Sequence, residues 1–562
     1  MRSHRPYLRM AALACLVCLV RPAASGAAGW IYGGNQVSFA AGAVHSRAVA
    51  PDGSGGVYVA WNVDSAGTPF ESNLRLQRYD AIGNPVWAVG GIIICNAPAD
   101  QISPALVPDD SGGVLVAWDD RRPPFATAAG IYAQRVGPSG IAMWTTNGVR
   151  VAGPRTDFYP TDLAAVTDHQ TGMFLAWRDD RSSRDTTSAI WAQRVNWQGT
   201  SLWAAGGVIV GLGGAAAAGI AIASDATNGL YLSWDEQYIL ASGDIRAQRV
   251  DFAGSAQWGS DGLVVCNVPG RQSQAAMDGW GALGAVVTWT DERLLNPGIY
   301  AQRINVAGTP QWAANGAAVP LTSSNGSPAV RTDGSQAYVS ATTNPIQLEK
   351  LDSNGAQVWG IDVASIDGTA PKLVSDGSGG VNVVWNAVTG GDDDIYDRRI
   401  LPSGTPAWVF AFRLNTDNVN NMYSVATTDG AGGIYAAWSD VRTGTDQIYL
   451  SRVTVDGMVP ALGVERRTPR ALLLGPARPQ PAHADVQVDL DLPDARQVHA
   501  SIVDAAGRTV STLLDGGTIA AGRHALRWDG RDRRGTPVPP GLYFLLVRAP
   551  SERASRRIVI TR

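Results

Sequence analysis

Histidine, cysteine and helical periodicity are what this chain has least of. Six histidines occur in 562 residues, and only His45 and His169 fall between residues 29 and 467. A histidine-based metal site or a Ser-His-Asp constellation is therefore not expected there. Of the four cysteines, Cys15 and Cys18 lie in an apolar N-terminal stretch. Cys95 and Cys266 occupy one position of a repeat, three copies apart, well beyond the ~7 Å Cα separation a disulfide tolerates. Two buried free thiols are the expectation. Residues 29–562 hold no convincing helical period, and no Gly-rich loop follows a strand to open a helix, which excludes a phosphate cradle of that type. No cofactor is expected.

Long apolar runs are also missing, with one exception. Met10 to Val20 is too short to span a bilayer. Arg2, Arg5 and Arg9 precede it and the small residues Ala23 to Ala28 follow it, the pattern of a secretory signal over residues 1–28. No later stretch has the length for a transmembrane helix. The formal charge of −4 is unevenly spread: residues 1–29 carry four Arg and no acid, residues 468–562 carry 14 Arg and nine acids, and the stretch between them holds −13. An acidic body of this kind gives no support for nucleic-acid binding.

What the chain has in quantity is one phrase written eight times. It runs D-G-x-G-G, an apolar run ending in Trp, a variable loop, I-Y-A-Q-R-V, then G-x-x-x-W and a short Val/Ile run. Trp118, Ile131 to Val136, Gly140 and Trp144 make up a clear copy. In the sixth copy Ala341 replaces the first Trp. Each copy reads as four short strands, A to D, bounded by Gly, Asp, Asn and Pro. Four-stranded units repeated every ~55 residues predict a β-propeller, here of eight blades with seven as the alternative. The eighth copy stops after Gly457, where Ala461 stands in place of the D-strand Trp. Gly29 to Val37 fits the W-x-x-x-G-x-x-V pattern of Trp203 to Val210. The N-terminal strand is thus expected to complete the last blade and close the ring over residues 29–467.

The best candidate for chemistry is W-x-D-x-R at the end of strand B. It occurs with Asp120 and Arg122, Asp179 and Arg181, Asp291 and Arg293, and Asp440 and Arg442. Alternate spacing puts these side chains on one face, so a ring of Asp and Arg beside the channel could face a ligand. Recurrence in blade after blade favours structural ion pairs instead. The strand C cation present in all eight copies, for example Arg135, needs a buried partner, and the strand B Asp is the expected one. The D-G-x-G-G turns supply too few oxygens for an EF-hand-like calcium site. Asp392, Asp393 and Asp394 are a weak candidate for a cation. Ligand recognition is expected where the repeat breaks, in the loops Arg122 to Gly130, Ser182 to Ser188, Gln237 to Gly243 and Gly390 to Asp394.

After Pro469, Pro476, Pro479 and Pro481 the pattern changes. Residues 468–484 read as a Pro-rich linker and 485–562 as a small β-sandwich of about seven strands. The run W-D-G-x-D-x-x-G-x-x-V-x-x-G-x-Y from Trp528 to Tyr543 resembles the FlgD-type Ig-like domain. Residues 472–562 as a block are similar to the C-terminal sorting domains of the bacterial type IX secretion system, although Gly475 to Pro479 departs from a tighter Pro-Asn-Pro-like element. The resemblance implies contact with secretion machinery and delivery to the outer-membrane surface or the exterior of a Gram-negative-type bacterium. The G-x-x-x-W endings resemble the tryptophan-docking repeats of quinone-dependent dehydrogenases and their non-enzymatic relatives. The Thr-Gly step and the adjacent cysteines of that family are absent, so docking carries over and the cofactor does not. The S-x-D-x-G-x-T-W box of sialidases is also absent. The sequence thus points to a monomeric, secreted or surface-displayed, non-enzymatic binding protein for an unidentified glycan or protein. A carbohydrate-active or quinone-type propeller enzyme is the alternative.

Overall fold

Runs rich in Val, Tyr and Trp, cut by Asp-Gly turns, fold as antiparallel hairpins throughout residues 29–562, which a computed structural model describes apart from short stretches, the longest being 154–161, 180–188 and 461–472. The signal expected at 1–28 lies outside the described residues. The chain divides into two compact units, residues 1–462 and 463–562. No described helix is long and apolar enough to cross a membrane.

The first unit is an eight-bladed propeller, since it contains eight four-stranded sheets. Blade one comprises Val44–Pro51, Val57–Asp64, Ser72–Tyr79 and Ile92–Cys95 in that order. The innermost A strands begin at Gln101, Ala164, Ala216, Gln272, Ala329, Thr369 and Asn421 in blades two to eight. Each packs beside the next, and the last packs beside the first. The eight therefore bound a central channel.

Closure occurs as the sequence implied. Asn35–Gln36 pairs antiparallel with Gln447–Val453 and supplies the outermost strand of blade eight. Ser38 reinforces the seam: its Oγ accepts the Ile448 amide at 2.8 Å and lies 2.9 Å from Gln447 Oε1.

The D-strand tryptophans sit in the turn before strand D, except Trp359 within strand Gln357–Asp362, and staple each blade to the next. Trp87 Nε1 donates to Pro138 O, Trp144 to Trp197 O and Trp203 to Phe252 O, each at 3.1–3.2 Å. Trp258, Trp312, Trp359 and Trp408 repeat the bond, and Trp30 completes the circle by donating to Ala81 O at 3.0 Å. Gly83 has φ +90° and a Cβ there would fall 2.7 Å from the Trp30 amide nitrogen, so the close approach requires glycine. The strand B tryptophans, among them Trp61, Trp118 and Trp289, are fully buried between blades.

Strand C glutamine has a role that the repeat alone did not disclose. Gln134 Nε2 donates to Thr145 O at 2.9 Å while its Oε1 accepts the Trp144 amide at 2.8 Å. Gln77, Gln193, Gln248 and Gln302 make the same two bonds. A buried amide with both ends satisfied orients the docking tryptophan.

The second unit is a two-sheet sandwich. One sheet orders Leu473–Leu474, Val486–Leu492 and Gly522–Trp528; the other orders Thr509–Ile519, Arg496–Asp504, Gly541–Ala549 and Glu552–Ile560. Val488, Leu490, Ala500, Ile502, Leu545 and Trp528 lie in its core. The linker expected at 468–484 is partly taken up here: Leu473–Leu474 is a strand, and Ala482 is buried and bridges to Ile560. Apolar side chains between the prolines find the sandwich core and pull the boundary toward the propeller.

Candidate functional site

The charges that recur are consumed by the scaffold, and one expected pairing is corrected. The strand C cation does not pair with the strand B Asp. It reaches the Asp that opens the A–B turn: Arg78 to Asp52 at 2.8 Å, Arg135 to Asp109 at 2.9 Å, Arg194 to Asp168 at 2.8 Å. The pair recurs as Arg249–Asp225, Arg399–Asp376 and Arg452–Asp429 at 2.7–2.9 Å. The hairpin explains the choice. Strand C starts beside the end of strand B, so its last residues lie beside the turn into strand B. The same carboxylate accepts two turn amides, as Asp109 does from Ser111 and Gly113. Burial alone would raise the carboxyls of Asp52, Asp109 and Asp376, but hydrogen bonds from the arginine and the amides outweigh it and hold them below the ordinary range. Where blade five has Trp280 in place of the Asp, Arg303 lies over the indole at 5.1 Å.

The W-x-D-x-R residues fold inward instead of forming a polar rim around the channel. Asp120 is fully buried. Its Oδ2 accepts Trp118 Nε1 at 2.8 Å, and Arg122 curls back with Nε 2.7 Å from Oδ1. Arg122 also donates to Asn147 O at 2.9 Å, approaches Cys95 Sγ at 3.4 Å and lies over the Tyr132 ring at 3.8 Å. Asp291 and Arg293 repeat this with Trp289, Asn315, Cys266 and Tyr300. Asp440 binds Arg442 through Nε at 2.8 Å. Asp179 accepts Trp177 Nε1 at 3.3 Å, and Arg181 lies outside the described residues.

Cys95 and Cys266 are buried free thiols. Each comes from the D strand of the preceding blade, so the cluster joins two blades. Burial, with the nearby Asp120, pushes the Cys95 thiol up to about 12, and burial with Asp291 pushes Cys266 to about 11. Both are protonated and unreactive at neutral pH.

Of the cation candidates Asp392, Asp393 and Asp394, the last is taken up by other partners. All three lie on strand Asp392–Ile400, and the adjacent Asp393 and Asp394 point to opposite faces of it. Asp394 is buried against Arg413 at 2.7 Å and Asn415 at 2.8 Å. No group of three metal-binding side chains occurs among the described residues.

A carboxylate between blades four and five was not singled out from sequence. Asp235 follows the strand B Trp and accepts the amides of Gln274 and Ala275 at 2.6 and 3.0 Å. Burial pushes its carboxyl up to about 7 despite those bonds. A raised carboxyl gives stability that is complete below its unfolded value near 3.9 and is lost as pH rises through the folded value. Asp235→Asn keeps the acceptor and removes the charge. Its melting temperature relative to the parent should climb between pH 5 and pH 8; a constant offset across that range would contradict this account.

Where the repeat breaks inside the channel, a cavity opens. It has a volume of about 530 Å³ and is lined by the ends of the A strands beside the A–B turns, at the opposite end of strand B from the variable loops named above. Register makes the asymmetry plain. The A-strand residues paired with Tyr58, Leu115, Phe174, Tyr231, Asn382 and Tyr435 are Ala50, Val107, Val166, Ala223, Val374 and Thr427. In blades five and six the same position is Asp278 and Arg331. These two face each other at 3.6 Å, while Asp278 Oδ2 accepts the Thr332 amide at 2.8 Å. His169 Nε2 lies 3.0 Å from Ser224 Oγ on the same cavity wall. Arg331 is the one Lys or Arg among the described lining residues. The sequence signal for this site is a departure from the repeat at an innermost strand, whereas the eye is drawn to the loops.

Residues 480–552 match the FlgD Ig-like domain family. No curated protein matches the sequence. Among solved structures, the chain is similar to PorZ, a bacterial surface component of the type IX secretion system of Porphyromonas gingivalis (11% identity, TM-score 0.28, covering 91% of this chain and 79% of that one). It is similar to dipeptidyl peptidase 4 of the same organism (10%, 0.37, covering 82% and 65%) and to the Hadza microbial sialidase Hz136 (10%, 0.37, covering 72% and 77%). Likeness at this level assigns no ligand or reaction. The chain is thus a β-propeller protein with a C-terminal FlgD Ig-like domain.

Proposed function

We propose that this is an exported, non-enzymatic binding protein that takes a small polar ligand at the A–B mouth of its channel. One observation carries the reading: repeated charges are spent on the turns and on blade-to-blade contacts, while Asp278, Arg331 and His169 break the repeat around one cavity. A cavity of that size with a few convergent polar groups suits a small-molecule site. Thr427 also lines it, so Thr427→Trp should fill the mouth. On a glycan array the full chain should bind, and Thr427→Trp should lose that binding with little change in melting temperature. Binding that survives the substitution would place the site elsewhere.

The FlgD-like domain supports a second element of the proposal, delivery through a type IX-like route to the cell surface or beyond. Removal of residues 463–562 should leave the protein in the periplasm of its native host. Surface delivery of the shortened chain would refute that role.

The 3.0 Å contact of His169 with Ser224 favours one rival, a hydrolytic enzyme, because it sets a base beside a hydroxyl. A hydrolysis screen decides between them: turnover abolished by Ser224→Ala would replace binding with catalysis.

A further inference from the structure

The innermost strands depart from the repeat a second time, one level deeper. Lys372 pairs with Val384, the register position that is alanine in blades one to six and Val425 in blade eight. It is one of two lysines in the chain. The other, Lys350, fills the strand C cation position, buried, 3.8 Å from Asp333. Lys372 is exposed, and an exposed side chain on an innermost strand, flanked by a blade on each side, opens on the lumen. Its Nζ donates only to Ala370 O on its own strand, at 3.2 Å, among the described residues. The channel walls around it displace part of its water and so pull its ammonium below the ordinary lysine range.

Arg331 lies on the neighbouring strand, two residues nearer the mouth, about 7 Å along the channel. Its acid neighbour Asp278 stands at 3.6 Å, outside hydrogen-bond distance, whereas the strand C arginines hold theirs at 2.7–2.9 Å. Blades five to seven therefore bring two cations and one acid to a channel through an acidic body. A planar guanidinium matches a carboxylate with two parallel bonds. Around it the cavities present hydroxyls, from Thr167, Ser224, Ser375, Thr427 and Thr428.

We propose that the channel binds a sugar acid, with the ligand's carboxylate on Arg331, its charge also felt by Lys372 below, and its hydroxyls on the Ser and Thr side chains. The proposal rests on the channel mouth being the ligand site. Titration calorimetry of the full chain with D-glucuronate, D-glucose and inorganic sulfate tests it. Glucuronate should bind at least about tenfold more tightly than glucose or sulfate. Arg331→Met should bring it down to the level of glucose, and Arg331→Lys should restore part of the difference. Acetylation of Lys372 by an amine-reactive ester, read by mass spectrometry, should slow under saturating glucuronate while that of Lys350 does not change. Equal affinity for the two sugars, sulfate binding as tightly as glucuronate, discrimination that survives Arg331→Met, unprotected Lys372, or no binding at all would each overturn the proposal. Glucose binding that Thr427→Trp abolishes, without preference for the acid, would leave the channel site standing and remove only the sugar acid. Binding that survives Thr427→Trp would remove the channel site itself.

Discussion

Removal of residues 29–38 should leave blade eight with three strands and lower the melting temperature by roughly 5–10 °C. The segment does three things at once. Trp30 is buried against Tyr79 of blade one and Tyr435 of blade eight, with ring centroids 6.0 and 5.3 Å away. Asn35 donates to the carbonyls of Gly29 and Gly83 and so ties blade one to its own strand. Val37 and Ser38 cap the seam on Ile448. Loss of the Trp30 packing alone costs about 3–5 kcal/mol, and exposure of Leu450 and its neighbours adds to it. Trp30→Ala should reproduce roughly half of the shift. If the shortened protein melts with the parent, by circular dichroism and by calorimetry, the ring is not held shut by this strand.

The second large effect is expected from Asp109→Ala. The substitution leaves the partly buried Arg135 without its carboxylate and strips the Ser111 and Gly113 amides of their acceptor. Breaking one side of such a pair costs about 3–5 kcal/mol. Asp109→Asn keeps an acceptor for the amides and should cost less. The pH dependence has a definite sign. A carboxyl held below its unfolded value gives stability that is complete above pH ~4 and is lost as pH falls through the folded value. Asp52, Asp109 and Asp376 all act in this sense, so acid should unfold the propeller cooperatively. Asp109→Ala should narrow its stability gap to the parent as the solution is acidified. A gap that holds constant from pH 7 to pH 3 would contradict the pairing.

Architecture was legible in the chain because every blade must solve the same packing problem with the same residues. The displaced Trp30 strand followed from the period, and the tryptophan staples from the likeness of the G-x-x-x-W endings to docking repeats. The partner of Arg135 did not, because sequence spacing favours the nearer-looking Asp120 while hairpin register brings Asp109 alongside. Asp394 looked like a cation ligand because its partners Arg413 and Asn415 lie on the next hairpin arm, about twenty residues on. The channel site was hardest to see: Asp278, Arg331 and Lys372 are ordinary residues in sequence, and only the alignment of eight inner strands by register shows that each stands where other blades place an alanine, valine or threonine.

Repeated charges make the ring, and the unrepeated ones meet the ligand. The ligand-induced thermal shift measures both at once, since binding to the folded state alone raises the melting temperature. With D-glucuronate as ligand, Arg331→Met should melt with the parent and shift no more than the parent does with D-glucose, while Asp109→Ala should melt lower and keep the parent's shift. An Arg331→Met protein that still shifts in full, or an Asp109→Ala protein that melts with the parent and has lost its shift, would contradict that division.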